Sequence, residues 1–261
     1  MFAISYDSVA ILSSFANAHG IEYSLLSDEG SHIMRKLGLI NERVQDDHAV
    51  YGIKSSSRHV NLPYPGIFVL DEAGRITNKV FYESYRERDT GAGLIGETLG
   101  IFVNGNGNEL SADGQSVRVR ASLDSPTYSA FQRLHLTIEC EVAPGFHVYG
   151  DPIPPGYVPL SVEVAPIPGL ELHPIRWPVP HPFSVAGLDE KFFVHEGTVR
   201  GVLPFSFTAP PGAGDHVLNV TVKYQACSAA TCLPPEEIRV NLPIREMALV
   251  GRSLPVKEAA G

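Results

Sequence analysis

Tyr224-Gln225-Ala226-Cys227-Ser228-Ala229-Ala230-Thr231-Cys232-Leu233-Pro234-Pro235 sets two of the three cysteines, with four residues between them, at the end of an alternating strand. Leu218, Val220, Val222, Tyr224 and Ala226 share one parity, and Asn219, Thr221, Lys223, Gln225 and Cys227 share the other. Successive strand side chains point to opposite faces, so this parity sends Cys227 to the polar, solvent-leaning side. A cysteine kept for packing belongs on the apolar side. Beyond Cys232, Pro234 and Pro235 interrupt the backbone donors, and Ile238, Val240, Leu242 and Ile244 resume the alternation. The segment reads as a strand, a cysteine-bearing connection and a returning strand, with a dithiol or disulfide at its tip. If bridged, its Cα atoms should lie about 4.4–6.8 Å apart.

Spacing leaves two uses of this pair open. As a staple, a bridge closing roughly six residues gains only about 2 kcal/mol. As an exchanging pair, it needs access for an attacking thiolate. A closed zinc site wants four ligands, and no second Cys or His pair stands at metal spacing. Cys140 lies in Leu134–Val142 on the apolar parity with Leu136 and Ile138, and is expected to be a buried thiol remote from the pair.

Outward from the cysteines, alternating segments recur near 117–122, 133–142, 160–164, 199–207, 216–226 and 237–244, separated by turn residues. Eighteen of the 21 prolines follow residue 143. Many short strands with Pro/Gly connections predict an antiparallel sandwich of immunoglobulin-like architecture. Residues 1–100 follow a different grammar, with strands at Phe2–Ser5, Ile21–Leu26, Ile67–Leu70 and Ile76–Tyr82. Helices are expected after Asp7, with Gly20 as stop, after Asp28, and over 91–100. This order predicts an α/β layer fold. Residues 41–62 read as a long loop, and Asn104-Gly105-Asn106-Gly107-Asn108 as a linker. The expected division is 1–103, a linker over 104–114, a sandwich over 115–246 and a tail over 247–261.

A formal charge of −9 argues against nucleic acid as a partner, because phosphate binding needs clustered Lys and Arg. No run of 18 apolar residues is present to span a membrane. The start Met1-Phe2-Ala3-Ile4-Ser5-Tyr6-Asp7 lacks the pattern of a signal peptide. The ten histidines form no His-Glu-x-x-His pattern. No cofactor is implied.

Two resemblances follow from these residues. Phe2–Asp7, Leu25-Leu26-Ser27-Asp28 and Tyr64–Asp71 resemble the later part of alkyl hydroperoxide reductase/thiol-specific antioxidant peroxiredoxins. That resemblance implies an incomplete thioredoxin-like domain. It places Pro65 where such folds carry a cis-proline beside the active site. The family's peroxidatic cysteine lies ahead of the strand that starts this chain, and residues 1–139 contain no cysteine. The absent strand would occupy the centre of the family's sheet, so a gap or a substitute strand is expected beside Phe2–Ser5. A start inside a strand points to a longer parent protein, with a degenerate scaffold as the other reading. Peroxide reduction is not expected from this chain alone.

Pro144–Tyr149, Phe193–Gly197 and Val222–Cys227 through Cys232–Pro235 resemble the N-terminal domain of DsbD-type thiol:disulfide interchange proteins. This resemblance implies an immunoglobulin-like sandwich that passes electrons through Cys227 and Cys232. It makes Cys232 the partner-engaging thiol and Cys227 the resolver. It places His147 and Tyr149 beside the pair, and a cap loop at His181–Phe193 with Phe183 as its tip. The implied partner is a thiol–disulfide protein such as a thioredoxin-like domain, in a periplasmic or cell-envelope setting. A docking scaffold with a structural disulfide is the alternative.

Overall fold

The computed structural model describes residues 1–50, 61–82, 87–101, 109–184, 190–208 and 214–247. They divide into two compact units, Met1–Glu87 and Arg88–Gly261. The linker expected at 104–108, five residues of the expected cap loop (185–189) and the tail after Met247 lie outside the described residues.

The first unit runs β1 (Phe2–Ser5), α1 (Val9–His19), β2 (Ser24–Ser27), α2 (His32–Lys36), α3 (Val44–Val50), β3 (Gly66–Leu70) and β4 (Ile76–Phe81). Ser8, not Asp7, caps α1, and the chain stops at Gly20 in the left-handed region with φ 61°. Asp28 anchors α2 from a distance, its carboxylate accepting from the Ile33 and Met34 backbone N–H groups. α3 lies inside the stretch read as loop, because Val44 finds burial on one side of an otherwise polar turn of helix. β1 pairs in parallel with β2, and β3 pairs antiparallel with β4. Among the described residues these remain two separate two-stranded sheets. Among the described residues no strand stands on the other side of β1, and none joins the two sheets into one. Burial is correspondingly thin: among the described residues of this unit the buried apolar ones are Leu12, Met34, Val44 and Tyr82.

The second unit starts with β5 (Arg88–Asp89) and α4 (Gly91–Leu99). Sequence assigns these residues to the first half, but they are tied to the sandwich. Thr90 caps α4 through Gly93 N–H, and its hydroxyl also bonds Asp124. The same carboxylate holds the His135 ring at 3.0 Å.

The strands that follow are β6 (Glu109–Asp113), β7 (Val117–Leu123), β8 (Thr127–Tyr128), β9 (Gln132–Val142), β10 (Phe146–Tyr149) and β11 (Ser161–Val164). β12 (Leu170–Leu172), β13 (His181–Phe183), β14 (Phe192–His195), β15 (Thr198–Phe207), β16 (His216–Tyr224), β17 (Ala226–Ser228) and β18 (Glu236–Glu246) complete the chain. One layer has the order β12-β15-β9-β7-β6, with β5 beside β9, and the other has β11-β16-β18-β8. Alternating residues such as Leu136 and Ile138 of β9, Val220 and Val222 of β16 and Val240 and Leu242 of β18 fill one core. Cys140 is in that core, fully buried, and burial pushes its thiol up to about 12.

A third sheet, β13-β14-β10-β17, carries the cysteine pair. It exists because the long strand changes sheets. β16 ends at Tyr224 beside β18, and after Gln225 the chain continues as β17 beside β10.

Candidate functional site

That change of sheet alters the fate of Cys227. Ala226 and Cys227 are both 1% exposed, Ala226 in the main core and Cys227 in a second apolar cluster with Tyr149, Phe192 and Val194. The sequence parity placed Cys227 on a solvent-leaning face. The structure corrects this, because the third sheet has a cover of its own on that face.

Cys227 and Cys232 form a disulfide with S–S 2.06 Å and Cα atoms 4.0 Å apart. The separation falls just under the expected range. The two residues oppose each other directly across an isolated antiparallel bridge, where chains approach most closely. Ser228 shapes the turn between them: its hydroxyl accepts from the Ala230 and Thr231 N–H groups, and its own N–H donates to Thr231 O at 2.7 Å. Leu233 N–H returns to Ala226 O at 2.9 Å. The two sulfurs are thereby made unequal. Cys232 is exposed, whereas Cys227 is buried.

Tyr149 joins them. Its hydroxyl donates to Cys227 Sγ at 3.2 Å and lies 3.6 Å from Cys232 Sγ. The ring is held by Tyr157 and Phe192, with centroids at 5.1 and 5.5 Å. Burial raises the phenol above its ordinary value, with the neighbouring Tyr157 and Glu190 adding to it, so the group is a proton donor at neutral pH. His147 stands opposite Cys227 in the β10–β17 register and meets the Phe183 ring at 4.3 Å. Phe183, in β13, is half-buried and packs on the cluster that contains Cys227.

His147, Tyr149 and Phe183 thus gather around the pair. Pro65 belongs to the first unit. Among the described residues the cis peptide bond is Asp151–Pro152, so Tyr64–Pro65 is trans, unlike the bond the resemblance implies. Tyr157 and Phe192 were missed in the sequence. Tyr157 sits in a Pro-Pro-Gly loop with no periodicity, while Phe192 alternates with Val194 and could have been found by that parity. No group of three or more His, Cys, Asp or Glu among the described residues could hold a metal ion.

Residues 122–243 match the family model of the thiol:disulfide interchange protein DsbD, N-terminal. The match starts within β7 and ends within β18, so it takes in every strand around the disulfide. Residues 1–79 match the AhpC/TSA family model. Among solved structures, the chain is similar to the N-terminal periplasmic domain of ScsB from Proteus mirabilis, at 20% identity and TM-score 0.39. That alignment covers 54% of this chain and 51% of the other, so this chain spans about half the length of that relative. The Neisseria meningitidis DsbD N-terminal domain in the reduced form aligns at 12% identity and TM-score 0.31, over 41% of this chain and 74% of that one. No curated protein sequence matches the chain. No helix among the described residues is long and apolar enough to cross a membrane.

Proposed function

We propose that this protein is a thiol–disulfide redox protein of the antioxidant, peroxiredoxin-like class, exchanging electrons through Cys227 and Cys232. The observation that carries the reading is the asymmetry of the bridge: one sulfur presented on an exposed residue, the other buried beneath Tyr149 and Phe183. Exchange proceeds by attack of a thiolate on one sulfur, and access decides which one. Cys232 is the sulfur a partner reaches, and Cys227 is the one that leaves or resolves. A Tyr149 hydroxyl within reach of both sulfurs can donate to whichever becomes a thiolate.

The partner is a thiol–disulfide protein, and a thioredoxin-like domain has the chemistry required. Residues 1–87 are the peroxiredoxin-like, incomplete thioredoxin-like portion. Without a cysteine before residue 140 they supply no thiolate for peroxide, so peroxide reduction is not this chain's own activity.

The test is a trapping experiment with the full chain. Reduced Cys227→Ser protein, mixed with an oxidised thioredoxin-like protein, should accumulate a mixed disulfide through Cys232. Cys232→Ser should trap at least tenfold less. A bridge with a potential below about −300 mV that yields no adduct would make it a structural disulfide in a docking scaffold.

A further inference from the structure

His147 carries an unexplained atom. The residue is 3% exposed, and its Nε2 has no hydrogen-bond partner among the described residues. Buried polar atoms without partners are rare and call for a reason. Directly opposite, across the β10–β17 pair, stands Cys227. Opposed side chains of an antiparallel pair share a face, with Cβ atoms about 4.5–5.5 Å apart. The imidazole is further fixed by Phe183 at 4.3 Å and by the edge of Tyr149 at 5.6 Å.

In the disulfide state, neither sulfur has a proton to give, and neither carries a charge to attract one. Reduction changes both. An atom that is orphaned in one redox state and beside a new thiolate in the other discriminates between the two states. On the reading that this pair exchanges, we infer that His147 Nε2 is the group that pairs with the Cys227 sulfur once the disulfide opens, and so stabilises the reduced form.

The step balances as follows. A partner thiolate attacks Cys232 Sγ, and a partner–Cys232 disulfide forms. The Cys227–Cys232 bond breaks, and its electron pair leaves on Cys227 as a thiolate beneath Tyr149. Nε2–H of His147 donates to that thiolate. The partner's second thiolate then attacks its own sulfur in the mixed disulfide, and Cys232 leaves as a thiolate. Two electrons have passed from the partner dithiol, which is now a disulfide, and its two protons return to the new dithiol through solvent and the imidazole.

The surroundings suit this task. The titratable groups facing His147 are Cys227 from β17, Tyr149 on its own strand, Glu196 at the end of β14 and His181 of β13. His181 and Glu196 lie 3.6 Å apart. Burial lowers the His147 pKa, Glu196 opposes that and His181 adds to it, so the ring is neutral in the disulfide state at pH 7. A neutral ring donates a hydrogen bond without burying a charge, and meets a new anion, beyond Glu196, when the thiolate forms.

Two variants of the full chain test the inference. His147→Phe keeps the ring against Phe183 and removes the nitrogen, whereas His147→Gln keeps an N–H donor. Equilibrated with dithiothreitol at pH 7, His147→Phe should shift tenfold toward the disulfide, about 30 mV, and His147→Gln should recover part of that. Wild-type reduction should also be about tenfold faster than that of His147→Phe. As a second measurement on the wild type alone, the imidazole resonances of His147 should titrate at higher pH in the reduced protein than in the oxidised one. Equal potentials and an unchanged titration would overturn the role of His147 while leaving exchange at the pair intact. A wild-type pair that dithiothreitol cannot open would overturn the exchange reading and this inference with it.

Discussion

Leu136 and Ile4 are both aliphatic residues in strands, and they live in opposite worlds. Leu136 lies in β9, which is paired on one side with β7 and on the other with β15, and it is fully buried. Ile4 lies in β1, whose strand neighbour among the described residues is β2, and it is 42% exposed. The contrast extends across the two units. The sandwich buries one continuous core between its layers. The first unit leaves Phe2, Val9, Ile11 and Leu37 more than half exposed. Both strands carry apolar residues; what differs, among the described residues, is whether a second layer and strands on both sides receive them. Local pattern makes a strand, but stability comes from what covers it.

The widest consequence concerns digestion. Limited proteolysis should remove residues 1–87 and leave a fragment containing 109–247, since opening free energy follows buried apolar contact. A surviving 1–87 fragment beside a degraded sandwich would reverse the comparison. Next in size, Phe207→Ala should cost the sandwich about 3–5 kcal/mol, because Phe207 is fully buried against Tyr128. Trp177, the single tryptophan, packs against Gly201 and makes fluorescence a reporter of this unit alone. Phe2→Ala, at an exposed site, should leave the same denaturation curve unchanged within about 0.5 kcal/mol.

Opening the disulfide should cost less, about 2 kcal/mol for so short a loop. The sandwich should remain folded with Cys227→Ser and Cys232→Ser combined; loss of folding would mean that the bridge, not the core, holds this unit. Thr90→Ala should cost about 1–2 kcal/mol by removing a helix cap and a donor to buried Asp124. If denaturation followed through Trp177 did not change, α4 would be energetically separate from the sandwich.

A last effect is with pH. Burial lowers the pKa of both His147 and His195. Below the ordinary imidazole value the unfolded chain then binds more protons than the folded one, so stability must fall with acid. Between pH 7.5 and 5.5 the sandwich should lose at most about 1.4 kcal/mol per pH unit for each imidazole. His147→Phe should flatten that slope, and a slope of opposite sign would contradict the burial of these rings.

Much of the sandwich was legible in the chain. The stretches read at 133–142, 199–207 and 237–244 became β9, β15 and β18 because each is long and largely alternating. The cysteine pair and its hairpin were equally plain. The third sheet was not. β10, β13 and β14 have three or four residues each, too few to establish a period. The burial of Cys227 was misread because parity carried along from Leu218 sends Ala226 to the main core correctly but does not reveal the second cluster that covers the opposite face. In the first unit the short elements and the stop at Gly20 were legible, whereas the cap at Ser8 and the helix at Val44–Val50 were not. The trans bond at Pro65 is what the residues alone predict, since trans is the default of the peptide bond; only the resemblance implied cis.

Gln225, the residue between β16 and β17, has a bearing on portability. Its side-chain amide accepts from Val158 N–H at 3.3 Å and donates to Leu233 O at 3.2 Å. It therefore clasps the cysteine turn to the 150–160 segment, which supplies Tyr157, while Tyr149 and Phe183 arrive from two further parts of the chain. The hairpin 224–235, transplanted onto another sandwich, would bring its disulfide and leave behind everything that makes one sulfur differ from the other. What a graft would need to carry is the Val158 segment that anchors the amide, with Tyr149 and Phe183, as well as the two cysteines.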